Sequence, residues 1–470
     1  MHIALEGEIL MKKNKFDSWK SLYKEVMAIV IVLFPTLIFI RAWVYQLNSL
    51  QPVGYKGKGN WLIILVYIGI YIVFFKAYGA FKIGYYKYSS VILSQILALI
   101  TVHSCMTILI VLIVGDIWSI ASIIGILLEI TITDIICCIV LTYLFLMLYV
   151  KLFPPYQMIE IYGSHENKLK YKMATRADKY EIVKSVDISI GVENIQNMLQ
   201  TYDAVLINDI PSELKNRLLK YCYLQNIRVY YTPKISDIMV KTAAEIDLFD
   251  TPLFLNRNYG ITIGQRFCKR LMDIMVSVLL IVLSSPIMLI TALAIKIEDG
   301  GPVFFRQERC TINGKKFMIC KFRSMIVDAE KDGKSRPAGS NDDRITKVGN
   351  FIRKTRIDEL PQLFNILNGD MSLVGPRPER VEHVEKYSAE IPEFAFRLKV
   401  KGGLTGYAQV YGKYNTTAYD KLKYDLMYIQ NYSLKLDFQI LVMTIKVIFM
   451  KESTEGFEEE AIQKIRQENK

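Results

Sequence analysis

"KRLMDIMVSVLLIVLSSPIMLITALAIKI", residues 269–297, is an apolar run longer than the about 20 residues that a helix needs to cross a bilayer core. Ser284, Ser285 and Pro286 lie at its middle, where proline removes one helical hydrogen bond and serine hydroxyls can bond the freed carbonyl. An ordinary kinked spanning helix is one interpretation. It would place outside the cell the many cations that follow, which the positive-inside rule disfavours: Arg306, Arg309, Lys315, Lys316, Lys321 and Arg323. We therefore predict a re-entrant helix whose two ends are both cytoplasmic.

Four further apolar runs precede this one, near residues 26–44, 61–75, 91–114 and 117–149. We predict that they are transmembrane helices of a domain spanning 1–151. Lysines gather before the first run, in the 76–87 loop and at Lys151, whereas the turn at 115–116 carries no cation. Both ends of this bundle are therefore predicted to face the cytoplasm.

The composition limits the kinds of site and partner that this chain can be expected to have. The chain has 470 residues, of which 52% are hydrophobic, and its mean hydropathy is +0.23. Its seven cysteines form no C-x-x-C pair, so neither a disulfide framework nor a zinc site is expected. The net charge of +12 suits nucleic acid, anionic lipid or a phosphorylated substrate. Because the chain has membrane segments, we favour the last two and expect no nucleic acid.

Residues 152–250 have a different pattern, in which short apolar runs are separated by polar helical stretches. "MIEIYG", "YDAVLIND" and "IRVYYTP" are typical strands, and 212–226 is a typical helix, which together indicate a small α/β domain with a parallel sheet. A dinucleotide-binding Rossmann unit needs several glycines after its first strand, but "IYGSHENKLKYK" offers one. We predict a degenerate Rossmann-like domain that regulates or spaces and binds no dinucleotide.

A third domain is predicted over 251–451, and it contains the apolar run 269–297. The segment "GPVFFRQERCTINGKKFMICKFRSM" predicts a β-hairpin around Asn313-Gly314, a dipeptide preferred in type I′ turns. The hairpin presents Gln307, Lys321 and Arg323, the last two on one face. Loops rich in glycine, proline and arginine follow and can bring backbone N–H groups and guanidinium groups to phosphate oxygens. The stretch 434–451 is predicted to lie on the membrane surface, and 452–470 is predicted to be a solvated tail.

The stretch "RKTRIDELPQLFNIL", residues 353–367, sets Asp358 beside Glu359 among cations. One interpretation is helix capping, with Asp358 as the N-cap of a helix whose buried face is Leu360, Leu363, Phe364 and Leu367. The other is chemical. A carboxylate attacks phosphorus only when ionised, and Arg353, Lys354 and Arg356 supply the positive potential that this requires. Both interpretations can hold together.

Several ordered motifs over residues 265–450 resemble the bacterial polyprenyl-phosphate sugar phosphotransferases, also called monotopic phosphoglycosyl transferases. They are "KRLMD", the Ser-Pro break, "KFRSM", "RKTRIDELPQL", "GDMSLVGPRP" and "GLTGYAQV". The whole chain is similar to the long form of that family. The resemblance implies transfer of a sugar 1-phosphate from a nucleotide diphosphate sugar to polyprenyl phosphate with Mg²⁺. The family's catalytic pair matches Asp358 and Glu359, which are also the expected Mg²⁺ ligands.

Other candidate residues are assigned by position and chemistry. Substrate contacts are expected from cationic and amide side chains near the acid pair: Gln307, Lys321, Arg323, Arg353, Arg356 and Arg377. Prolines on both sides of Arg377 fix its backbone and favour a phosphate contact. On the acceptor side we expect Ser285, Pro286 and two membrane-surface anchors, Lys269 and Arg270. Cys310 and Asp343 depart from the family pattern and affect local loops only. His383, Glu129 and Asp134 are assigned no role.

The sequence thus predicts a membrane protein that combines an α-helical bundle with α/β structure and a mostly helical monotopic catalytic domain. We expect a multi-pass protein of the bacterial cell membrane, with its catalytic domain on the cytoplasmic face and with a homo-oligomer possible. One competing hypothesis is a membrane-anchored nucleotide-sugar dehydratase or epimerase, which the missing glycine fingerprint disfavours. The other is a non-enzymatic membrane regulator, which leaves the acid pair unexplained.

Overall fold

The computed structural model describes residues 2–51, 54–163, 169–248, 250–256, 260–327, 329, 342–413 and 416–450. The chain divides into two compact units, with the border between Thr232 and Pro233. The predicted solvated tail at 452–470 and residues 164–168 of the glycine-poor segment after the first strand lie outside the described residues.

The first unit begins with four long helices: α1 His2–Ala42, α2 Lys58–Ala77, α3 Tyr88–Val114 and α4 Ile120–Leu152. A π-helical turn, Trp43–Leu47, extends α1. All four contain stretches long and apolar enough to cross a membrane, as does one helix of the second unit, so the described chain has five such helices. Aromatic side chains fill the bundle; the rings of Phe39 and Tyr67, for example, stack with centroids 4.0 Å apart.

An α/β layer completes this unit. Its elements are β1 Tyr156–Tyr162, α5 Leu169–Ala174, β2 Tyr180–Asp187, α6 Val192–Leu199, β3 Ala204–Asn208, α7 Ser212–Leu224 and β4 Arg228–Tyr231. The strands form one parallel sheet in the order β2-β1-β3-β4. Every residue of β3 is buried, as expected for a strand covered on both faces. The parallel sheet is confirmed, whereas the Rossmann-like assignment stays a prediction.

The second unit is mostly helical and begins right after the sheet. Its elements are α8 Ile235–Val240, β5 Ala244–Leu248, β6 Thr251–Leu255, α9 Ile263–Asp299, β7 Phe304–Cys310, β8 Lys316–Phe322, α10 Lys347–Lys354, α11 Gln362–Asn368, β9 Ser372–Val374, α12 Val381–Glu390, β10 Gly403–Thr405, α13 Tyr407–Tyr411, α14 Ala418–Gln430 and α15 Leu434–Ile448. Ile235 and Ile238 of α8 share one hydrophobic core with Leu363, Leu426 and Ile440. Residues from 233 onward therefore pack with this unit, although the sequence suggested a border near 250.

The apolar run forms α9, a single helix that contains Pro286. Thr262 and Gln265 make a reciprocal capping box at its start, and Gly300 ends it with a left-handed backbone, φ 71°. Pro286 cannot bond to the carbonyl of Val282, and the hydroxyl of Ser285 donates to that oxygen instead, at 2.9 Å. The expected serine compensation is confirmed. Whether α9 re-enters or spans is a matter of topology and stays a prediction.

The last helix, α15, is amphipathic but not merely a surface helix. Ile440 is fully buried in the core of the second unit, whereas Phe438, Ile445 and Phe449 are exposed. One face thus packs inside the domain. The other retains the apolar character expected of a helix at a membrane surface.

Candidate active site

The hairpin of β7 and β8 carries the first cation of the site. Asn313, at φ 56° and ψ 24°, and Gly314, at φ 74°, occupy the centre of its turn, and the N–H of Lys315 donates to Ile312 O at 3.1 Å. Positive φ at both central residues confirms the predicted type I′ turn. The side chain of Asn365 in α11 clamps β8, accepting from Cys320 N and donating to Met318 O, both at 2.9 Å. This clamp fixes the strand beside Lys321.

The acid pair lies on a short 3₁₀ turn, Ile357–Glu359, that precedes α11. Arg356 before it is left-handed, at φ 59°, so the chain turns sharply and α11 begins only at Gln362, with Pro361 at the N-cap. The prediction that Asp358 caps this helix is wrong, because the extra turn separates it from the first helical N–H groups. The predicted buried face is also partly wrong, because Phe364 is exposed and Ile366 is buried.

Glu359 contacts cations from two other parts of the chain. Lys321 Nζ from β8 and Arg377 Nη2 from the loop after β9 both lie 2.8 Å from Glu359 Oε1. The Glu359 side chain is only 12% exposed. Burial alone would raise the pKa of Glu359, but Arg377 and Lys321 hold it well below its usual value. Glu359 is therefore a fixed anion that orients the two cations.

Asp358 has the opposite environment. Its Oδ1 is buried and has no hydrogen-bond partner among the described residues. Burial, followed by the charge of Glu359, raises the pKa of Asp358, and Lys321, Arg356 and Arg353 oppose the shift. Arg353 and Arg356 thus act on Asp358 through their positive potential. Asp358 thus has a buried oxygen whose hydrogen-bonding capacity is not used by the described residues.

Tight backbone packing holds the loop that carries Arg377. β9 and β10 pair in parallel, Gly375 N donates to Thr405 O, and Gly403 N donates to Pro376 O, both at 2.9 Å. A Cβ at Gly375 would collide with the carbonyl oxygen of Lys401. Glycine is required at this position because the two segments approach closely, and Gly375 of "VGPRP" and Gly403 of "GGLTG" lie against each other.

Two buried residues, Arg397 and Asp425, and the half-buried Arg309 support this loop, and none of the three belongs to the predicted set. Arg397 donates to the backbone oxygen of Arg377 at 3.0 Å and pairs with Asp425 at 2.8 Å. Arg309 donates to Pro378 O at 3.2 Å and to Gln307 Oε1 at 2.7 Å. Burial, followed by the nearby charge of Arg377, lowers the pKa of Arg309 to about 10. The sequence offered no local signal for the Arg397–Asp425 pair.

Gln307 and Arg323 differ in their relation to the site. Gln307 is held by Arg309, which is electrostatically coupled to both Arg377 and Glu359. Arg323 is instead paired with Asp299 at the end of α9 and donates to Pro302 O at 2.7 Å. The prediction that Arg323 shares a face with Lys321 is wrong, since β8 ends at Phe322.

The two predicted membrane-surface anchors lie inside the domain. Lys269 is buried and its Nζ lies 2.7 Å from Asp437 Oδ2 in α15. Arg270 donates to the carbonyls of Ile366 and Leu367, both at 2.6 Å, and so caps the end of α11. The surface-anchor interpretation is corrected, because both side chains already have internal partners. Ser285 bonds within α9, and the acceptor roles of Ser285 and Pro286 stay predictions.

Asp273 lies one helical turn beyond Lys269 and was not predicted to support the site. Its buried Oδ1 accepts from the backbone N–H of Leu373 in β9 at 3.0 Å. "KRLMD" therefore ties α9 to the strand that precedes the Arg377 loop. Lys269 and Asp273 are four residues apart and therefore share one helix face, and this spacing was the signal in the sequence.

Two of the polar residues that were assigned no role contact other side chains. Asp134 of α4 is fully buried, and its Oδ2 lies 3.4 Å from His103 Nε2 of α3. His383 lies 3.9 Å from Glu379, a contact that fits a structural role.

A metal ion at this site would have few protein ligands. Among the described residues, no group of three or more His, Cys, Asp and Glu side chains could hold a metal ion. Mg²⁺, however, commonly uses one or two carboxylates together with substrate phosphates and water. Asp358 Oδ1, which has no partner in the part of the chain that the structure describes, lies beside Glu359 in sequence and fits that pattern.

Comparison with known proteins identifies the family. Residues 264–451 match the model for the bacterial sugar transferase domain. The chain is 45% identical over 183 residues to a UDP-glucose:undecaprenyl-phosphate glucose-1-phosphate transferase of Caulobacter vibrioides, an alignment covering 38% of this chain and 68% of that protein. This chain belongs to the bacterial sugar transferase family.

Two longer alignments extend the similarity toward the N-terminus. A Klebsiella pneumoniae protein named as a UDP-glucose:undecaprenyl-phosphate glucose-1-phosphate transferase is 36% identical over 306 residues, covering 64% of each chain. An Aeromonas hydrophila UDP-N-acetylgalactosamine-undecaprenyl-phosphate N-acetylgalactosaminephosphotransferase is 41% identical over 263 residues, covering 53% of this chain and 59% of that protein. This bacterial sugar transferase therefore matches less than two thirds of either relative's length. The acid pair lies inside the matched domain.

Proposed function

We propose that this protein transfers a sugar 1-phosphate from a nucleotide diphosphate sugar, of the UDP type, to polyprenyl (undecaprenyl) phosphate. The reaction would occur at the cytoplasmic face of the bacterial cell membrane and begin the assembly of capsule or exopolysaccharide. One observation carries the proposal: Lys321 and Arg377 share Glu359 Oε1, and the adjacent Asp358 keeps a buried oxygen without a described partner. The names of the relatives support the same chemistry.

Asp358 would act as the nucleophile. One of its carboxylate oxygens attacks the phosphorus attached to the sugar, the phosphoanhydride bond breaks, and the nucleoside monophosphate leaves with the bonding electron pair. An oxygen of polyprenyl phosphate then attacks the same phosphorus and breaks the acyl–phosphate bond, which regenerates Asp358. Two successive steps mean that the soluble donor and the lipid acceptor need not occupy the site together.

The cations would offset the repulsion between Asp358 and the diphosphate. Lys321 and Arg377 are already oriented by Glu359, so aiming them at phosphate oxygens costs little further entropy. Arg353 and Arg356 favour the ionised form of Asp358. Mg²⁺, held by Asp358 and Glu359 with substrate phosphates, would supply further neutralisation of phosphate charge.

The Asp358→Asn variant tests this function. The amide keeps the size of the side chain, and burial already favours a neutral group there, so we expect the fold and donor binding to persist. Transfer of labelled phosphate from a UDP-sugar into the lipid fraction should fall by at least about 10³-fold, as for loss of a nucleophile. Asp343→Asn, which changes an exposed carboxylate of the same domain, is the matched control.

Incubating the wild-type protein with labelled donor and no acceptor should leave labelled sugar phosphate on the protein. Substantial turnover by the Asn variant, or kinetics that require both substrates to be bound at once, would contradict the covalent mechanism. A panel of nucleotide sugars in the same assay identifies the donor.

A further inference from the structure

One face of the β7–β8 hairpin is covered by the domain core near the turn and open at the other end. Phe317 and Ile319 of β8 belong to the hydrophobic core of the second unit. Lys321 follows two residues later on the same face, and the strand register places Phe305 of β7 directly opposite it. Phe305 is 41% exposed. The core-facing side of the hairpin therefore ends in an exposed aromatic ring.

This ring neighbours one of the two cations that contact the acid pair. Directly opposed residues of two antiparallel strands have Cβ atoms about 4.5–5.5 Å apart, so Phe305 and Lys321 are side by side. Lys321 Nζ in turn lies 2.8 Å from Glu359 Oε1, which Arg377 Nη2 also contacts. A group bonded directly to a phosphate that Lys321 holds therefore lies within reach of the Phe305 ring.

An ion pair holds the same end of the hairpin against the end of α9. Arg323, which follows β8, pairs with Asp299, the last residue of α9, and donates to Pro302 O at 2.7 Å. Exposed apolar side chains continue along α9 as far as Ile297. The apolar surface of this membrane helix therefore extends to the place where Phe305 lies.

Ordinary contact with membrane lipid would not distinguish Phe305 from its neighbour Phe304. Phe304 is 45% exposed, but it lies on the opposite face of the hairpin, where its ring stacks on that of Phe322 with centroids 5.5 Å apart. Both phenylalanines are close to the end of α9, whereas Phe305 alone of the two lies on the face of Lys321. Phe304 therefore provides a matched control for a role in substrate binding.

We propose that Phe305 contacts the isoprenoid chain of the lipid acceptor, at the units next to the phosphate, an inference that rests on the proposed function. The chain of polyprenyl phosphate is bonded directly to the phosphate and reaches the site from the membrane. The base of a nucleotide donor, in contrast, is separated from the diphosphate by a ribose and arrives from water. Packing isoprene units on the ring removes apolar surface of both from water. Phe305 thus binds the chain, while Lys321 and Arg377 act on the phosphate.

The test measures binding of polyprenyl phosphate to the full chain in phosphatidylcholine nanodiscs by native mass spectrometry, together with the KM values of donor and acceptor. Phe305→Ala should weaken acceptor binding and raise the acceptor KM about tenfold, equivalent to about 1.4 kcal/mol, with the donor KM unchanged. Phe305→Leu, which keeps an apolar side chain, should recover most of the loss. Phe304→Ala should bind the acceptor as the wild type does. Inorganic phosphate, which lacks the chain, should compete equally well in the wild type and in Phe305→Ala.

Equal acceptor binding by Phe305→Ala and Phe304→Ala would overturn the proposed contact. A raised donor KM with an unchanged acceptor KM would assign the ring to the nucleotide and overturn the acceptor assignment. Binding is measured without turnover, so a wild-type protein that binds polyprenyl phosphate but transfers no sugar phosphate would contradict the proposed function alone. All variants are compared at a temperature where far-UV circular dichroism shows them to be folded.

Discussion

Lys269 offers a direct test of whether "KRLMD" builds the domain or meets the lipid acceptor. Its amine lies 2.7 Å from Asp437, and the two side chains are 8% and 0% exposed. Removing one partner of such a buried pair typically costs about 3–5 kcal/mol, because the other charge loses its counterion. Tyr428 would still donate to Asp437 at 2.8 Å, so we expect Lys269→Met to cost about 3 kcal/mol, the low end of that range.

For a unit of this size, 1 kcal/mol corresponds to about 2–4 °C, so the unfolding temperature in detergent should fall by about 6–12 °C. Lys269→Met/Asp437→Leu removes both charges and should recover most of the loss. The loss should also depend on pH. Burial raises the pKa of Asp437 even with Lys269 present, and a carboxyl with a raised pKa destabilises the fold increasingly as pH rises. The deficit of the single variant should therefore be smaller at pH 5 than at pH 8.

The assay is circular dichroism during heating, combined with the KM for polyprenyl phosphate at a temperature where all variants are folded. An unchanged unfolding temperature with a raised acceptor KM would refute the structural role and restore the membrane-surface interpretation of Lys269.

Two further predictions concern the acid pair and its supporting loop. Arg356 lowers the pKa of Asp358, so Arg356→Gln should move the acid limb of the kcat/KM–pH profile to higher pH, while Lys354→Gln should leave it in place; a shift to lower pH would contradict this assignment. Gly375→Ala should destabilise the domain by about 1–3 kcal/mol through overpacking, whereas Gly264→Ala, where an added Cβ meets nothing, should be nearly neutral in a thermal melt; equal stability of the two variants would refute the packing argument.

Local patterns in the sequence predicted the elements well where a short stretch determines its own structure. The five apolar runs became long helices, because length and hydropathy alone specify such helices. Asn313-Gly314 formed its turn because both residues tolerate positive φ. The three strands expected between residues 156 and 232 all form. The fourth, β2, was missed because polar residues interrupt "YEIVKSVD" and leave it no continuous apolar run.

The errors share a physical cause, since each concerns a partner that is distant in sequence or a local turn that no pattern marks. Lys269 and Asp437 are 168 residues apart, and nothing in "KRLMD" indicates which acid pairs with Lys269. Arg323 looked like a phosphate ligand until Asp299 proved to be its neighbour. The cap assignment of Asp358 failed because Arg356 adopts a left-handed conformation that few non-glycine residues favour.

The acid pair itself illustrates why adjacent identical charges need not play identical roles. Asp358 and Glu359 are neighbours on one turn, yet burial with a like charge raises the pKa of the first, while two contacting cations lower that of the second. Environments that separate the pKa values of paired carboxyls are how a site assigns different tasks to them. Glu359, fixed by Lys321 and Arg377, is poorly suited to attack because its best-placed oxygen is already occupied. Asp358, whose pKa is raised and whose Oδ1 has no partner among the described residues, fits the proposed role of nucleophile, and on that proposal the order of the two acids in the motif has a physical meaning.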